Sequence, residues 1–144
     1  MKNRILKIVL VVVVLLVLFL LYNIFGLDLS VALNYNVNIP VVDKEIYSFS
    51  DGGRDGDYYR VVKYNDYKIK RIKKLNWQEF LGYDSGKMQD LLYYLKEHKI
   101  SQKYYPEIGD DSLCFMKTFD DKGDYLLMIY NPSIETIYIY EYHI

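Results

Sequence analysis

From Ile8 to Leu21 every residue is Ile, Val, Leu or Phe, and after Tyr22 and Asn23 the run continues through Ile24, Phe25, Gly26 and Leu27. Twenty helical residues rise roughly 30 Å, the thickness of a bilayer's hydrocarbon core. A domain from a 144-residue chain has no core able to hide such a segment. The run therefore predicts a transmembrane helix, with residues 5–27 in contact with the lipid bilayer. A cleaved signal peptide competes, because "MKNRILK" suits either reading and Ser30-Val31-Ala32 offers small residues at a suitable spacing. The run exceeds the roughly 7–15 residues of a signal-peptide core, and Asp28 intervenes, so an uncleaved signal anchor is expected. Lys2, Arg4 and Lys7 precede the run, whereas Asp28 and Asp43 are the first charges after it. This asymmetry predicts a single-pass protein of the cell membrane, N-terminus cytoplasmic and the remainder extracytoplasmic. Tyr22 and Phe25 fall where aromatic anchors sit at the outer interface.

Three regions follow: an anchor over residues 1–27, a tether over 28–44, and a folded domain over 45–144. Beyond the run, acidic residues outnumber basic ones, which gives no drive toward nucleic acid. Seventeen tyrosines in the chain supply ample surface to bury. The single cysteine, Cys114, forms no intramolecular disulfide and reads as a small buried hydrophobe.

Strand signals lie over residues 45–50 and 57–66, the second rich in Tyr and Val. A helix capped by Asn65 or Asp66 is predicted to run to about Leu81, with Gly82 at its end. A second helix, capped by Asp84 or Ser85, carries Met88, Leu91, Leu92 and Leu95 at helical spacing. After the loop "YYPEIGDD" come three strands, "SLCFMKTF", "DYLLMIYN" and "ETIYIYEYHI", joined by the turn formers "DDKG" and "NPS". The order ββααβββ predicts an α+β fold of two layers, an antiparallel sheet covered by two helices on one face.

"SFSDGGRDGDYY", Ser48 to Tyr59, is the stretch that most resembles chemistry. Counted from Asp51 as a calcium loop, it puts Gly53 where a ligand belongs and Val62 where the closing glutamate belongs. A phosphate loop would lead into a helix, and here a strand follows. Asp-Gly and Gly-Gly between strands are ordinary turn chemistry, with a weak cation site at Asp51–Asp57 as the alternative. Lys70, Arg71, Lys73 and Lys74 lie in "KIKRIKKLNW"; they form either a surface for anionic lipid or polymer, or the solvated side of an amphipathic helix. Tyr138, Tyr140 and Tyr142 alternate along the last strand and form either a platform for a sugar or peptide, or a face covered by Tyr93 and Tyr94. His98 and His143 have no metal spacing, and Cys114 lacks the setting that activates a thiolate. No catalytic, cofactor or metal residue is assigned, and no enzyme is expected unless the fold gathers two carboxylates, or His98 and a carboxylate, in one cleft.

The stretches "GGRDGDYY" (Gly52 to Tyr59), "KKLNW" (Lys73 to Trp77) and "YIYEY" (Tyr138 to Tyr142) resemble a family of small membrane-anchored proteins of low-GC Gram-positive bacteria with no known activity. Arg54 and Asp55 stand where those proteins often carry an aromatic residue and a glycine. The resemblance implies a bacterial origin and a shared fold pattern, and no mechanism. The expected function is a non-catalytic binding or protective, immunity-like module with a protein partner at the cell surface. The alternative is an accessory subunit of a membrane protein complex.

Overall fold

The computed structural model describes residues 2–26, 28–52, 56–80, 85–119 and 123–143. Gly82, Asp84, residues 53–55 of the glycine-rich stretch and residues 120–122 of the last hairpin lie outside them. Helix α1 spans Lys2–Phe25, and its side chains from Ile8 to Phe19 are between 47 and 64% exposed. Among the described residues no helix is long and apolar enough to cross a membrane. The expected transmembrane signal anchor, and with it the single-pass placement in the cell membrane, is corrected on this ground.

The two-layer fold is corrected as well. Strands β1 (Lys44–Ser50), β2 (Tyr58–Lys63), β3 (Gln78–Glu79), β4 (Leu113–Phe119), β5 (Asp124–Asn131) and β6 (Thr136–Tyr142) form one antiparallel sheet in the order β1-β2-β6-β5-β4-β3. Helices α2 (Leu29–Tyr35) and α3 (Asp66–Ile72) cover one face, and α4 (Ser85–Glu97) covers the other. Both faces of β5 and β6 are buried, because Ile137 and Ile139 face α2 and α3 while Tyr138 and Tyr140 face α4. Alternation of Ile with Tyr had suggested one covered face. Tyrosine, however, is apolar enough over its ring to line a second core if its hydroxyl finds a partner.

The segment expected to be a tether is part of the core. Asp28 caps α2 by accepting from the Val31 amide at 3.4 Å, and Asn36 ends it in the left-handed region at φ 52°. Val31, Tyr35, Val37 and Ile39 are all at most 4% exposed. The chain then runs back antiparallel, with the Asp28 amide donating to the Ile39 carbonyl and the Val41 amide to that of Gly26.

Helix α3 stops at Ile72, short of the predicted Leu81. Asn65 caps its start by accepting from the Lys68 amide at 3.0 Å, and Ile69 and Ile72 bury its inner side. At its end Trp77 folds back, its indole Nε1 donating to the Ile72 carbonyl at 2.9 Å. That carbonyl also accepts from the Leu75 amide at 3.0 Å, so the helix end is closed twice, and Gln78 and Glu79 follow into the sheet beside Cys114 and Leu113.

Candidate functional site

Helix α4 carries two stripes. Leu91 and Leu95 are fully buried against the sheet, with Met88 packed beside them. Asp90, Tyr93, Tyr94 and Glu97 recur at i, i+3, i+4 and i+7, which aligns them along a neighbouring strip of the same helix. This second stripe meets Asp51 and Asp57 from the β1–β2 connection, His98 from the end of α4, and Tyr140 and Tyr142 from β6. Together they line a cleft of about 240 Å³.

The β1–β2 connection is shaped by glycine. A Cβ at Gly56 would overlap the Gly52 backbone, so a side chain there would force the turn open. This close approach carries Asp57 back under the strand ends, where the Asp51 amide donates to its carbonyl at 3.4 Å.

Asp57 is the polar knot of the cleft. One carboxylate oxygen accepts from the Tyr140 hydroxyl at 2.6 Å and the other from the His143 amide at 2.9 Å. Its backbone carbonyl accepts from the Tyr94 hydroxyl at 3.2 Å. Burial pushes the Asp57 carboxyl above its ordinary range, and the two donated hydrogen bonds oppose that shift. Burial, and then the Asp57 carboxylate, holds the Tyr140 hydroxyl far above its usual value, so it stays a donor. The same holds for Tyr125, which donates to Asp90 at 3.2 Å and is raised by burial first and Asp90 second.

Ring contacts stiffen the wall. Tyr94 lies 5.2 Å from Tyr140 and 4.6 Å from the His98 ring, and Tyr125 stacks on Tyr142 at 4.8 Å and 22°. His98 Nε2 stands 3.4 Å from Asp51 Oδ2 at the rim.

The residues singled out from sequence divide between the two faces. Tyr138 and Tyr140 are 3% and 1% exposed beneath α4, so they offer no open platform. Tyr142 is half-buried and lines the cleft, whereas Tyr93 is 68% exposed on its rim. Lys70, Lys73 and Lys74 are exposed and Arg71 half-buried, on and just after α3 on the opposite face. Their neighbour Lys68 is buried and paired with Asp43 at 2.6 Å. Among the described residues no group of three or more His, Cys, Asp or Glu side chains is arranged to hold a metal ion. Tyr93 and Tyr94 carry a sequence signal, whereas Asp90 and Glu97 do not, because carboxylates on a helix read equally as its solvated face.

Compared with known proteins, the chain matches no family model, no curated protein and no solved structure.

Proposed function

We propose that the folded domain is a non-catalytic binding module and that the cleft between α4 and the β1–β2 connection is its ligand site. The observation that carries this reading is the engagement of the innermost groups with one another. Both Asp57 oxygens hold structural donors, and the hydroxyls of Tyr140, Tyr94 and Tyr125 are each bonded. Such a wall keeps its shape and presents a fixed set of rings and carboxylates, as a recognition site requires. A group that shuttles protons needs freedom that Asp57 lacks. A protective role would follow from capture of a partner there.

The test is a fragment screen on the isotopically labelled full chain, read from amide resonances. Chemically varied fragments are expected to move the amides of Asp51, Asp57, Glu97 and His98. A set that leaves all four unmoved would overturn the reading.

One observation favours a second reading, acid–base catalysis: the fold does bring His98 beside Asp51 in a cleft shared with Asp57 and Glu97. A panel of ester, glycoside, phosphoester and peptide substrates decides it. Turnover that disappears in His98→Gln would make the protein an enzyme; none above buffer leaves the binding reading standing.

A further inference from the structure

Resting on the binding reading, we propose that the cleft takes a cationic nitrogen group, an alkylammonium or a guanidinium. Four carboxylates, those of Asp51, Asp57, Asp90 and Glu97, converge on it. Among the described residues the histidines and lysine beside them are the His98 ring at the rim, His143 behind Asp57, and Lys87 beside Asp90. Glu97 is exposed and has no ion-pair partner among the described residues. An anion entering here would meet like charge from two sides, the β1–β2 connection and α4.

The rings make the preference narrower. A cation is attracted to the face of an aromatic ring and to a carboxylate together, and desolvation in a cleft strengthens both. The protein displays this pairing with its own lysine at the edge of the site. Lys87 Nζ lies 4.1 Å from the centre of the Tyr125 ring and 3.8 Å from Asp90 Oδ2. Farther along α4 the exposed Tyr93 and Glu97 and the buried Tyr94 line the same cleft. A ligand nitrogen would take there the place that Lys87 takes at Tyr125 and Asp90. The volume, about 240 Å³, suits one side-chain-sized group rather than a large ring system.

The group could belong to a free polyamine or to a Lys or Arg side chain of a polypeptide, and one experiment separates these. The labelled full chain is titrated with spermidine, Nα-acetylated argininamide, a short lysine-containing peptide, the neutral isostere Nα-acetylated citrullinamide, and glutarate. Argininamide is expected to move the amides of Asp51, Glu97 and His98 with an affinity roughly tenfold above citrullinamide. Glu97→Gln, an exposed change that leaves the core intact, is expected to reduce that affinity several-fold. Tighter binding of the peptide than of spermidine assigns the group to a polypeptide; the reverse order assigns it to a free polyamine. Equal affinity for argininamide and citrullinamide overturns the proposal. Should citrullinamide or glutarate shift the cleft while the cations do not, the ligand class is wrong but the binding reading survives. If none of the five shifts it, both fall.

Discussion

The two faces of the sheet share strands β2, β5 and β6 yet solve burial by different chemistry. The face beneath α2 and α3 is largely aliphatic and is fastened by buried charge. Arg60 donates to Asp28 at 2.6 Å and to Glu141 at 3.0 Å, all three side chains at most 9% exposed. The face beneath α4 is built from tyrosines whose hydroxyls need partners, and the partners they find, Asp57 and Asp90, lie at the margin where the cleft opens. A charge buried among aliphatic residues closes a wall, because leaving it unpaired is so costly. A tyrosine core cannot close so fully, since each ring carries a polar end toward water. The closed face holds the chain's architecture and the open one supplies its candidate site.

Replacing Arg60 with Met tests the closed face most severely. It leaves Asp28 and Glu141 buried without a counter-charge, with an expected loss of about 3–5 kcal/mol in urea denaturation. A loss below about 1 kcal/mol would mean that this face is not fastened as described. The matching change on the open face, Tyr140→Phe, removes one hydroxyl from Asp57 and is expected to cost about 1–3 kcal/mol. A cost as large as that of Arg60→Met would erase the contrast.

Acidity sharpens the comparison with a smaller effect. Asp57 and Glu141 both have carboxyls raised by burial, so the folded state binds protons more readily than the unfolded chain. Their contribution to stability is full below the ordinary carboxylate range, about pH 4, and is lost as pH rises through the folded values. Urea midpoints of the wild type should show this downward component with rising pH, and Asp57→Asn should flatten it in part. An unchanged profile in Asp57→Asn would show that Asp57 is solvated in the native state.

Much of the sheet was legible locally. "DYLLMIYN" and β5 share the same bounds, Asp124–Asn131, because short turn formers flank a dense apolar run. The alternation Ile137, Tyr138, Ile139, Tyr140 was visible too, although its meaning, two buried faces, depends on what packs above each. Helix α2 was hidden: "LSVALNY" is short, and Asn34 and Asn36 break its pattern, so its helicity comes from the burial of Val31 and Tyr35. Arg60 gives no local sign of its role, since its partners lie 32 and 81 residues away. The cleft was half legible. Cover of the tyrosine face by the second helix was one of two readings, and Tyr94 does lie against Tyr140, but nothing in the chain brings Asp51 and Asp57 to the same helix.

The account rests most heavily on residues 28–41 forming a wall of the core rather than a free connection. Amide hydrogen exchange on the full-length chain measures this directly. The bonded amides of Asp28, Ala32, Asn36 and Val41 are expected to exchange slowly, within the range of those in β5 and β6. Exchange at the rate of an unstructured peptide, while the sheet remains protected, would contradict it.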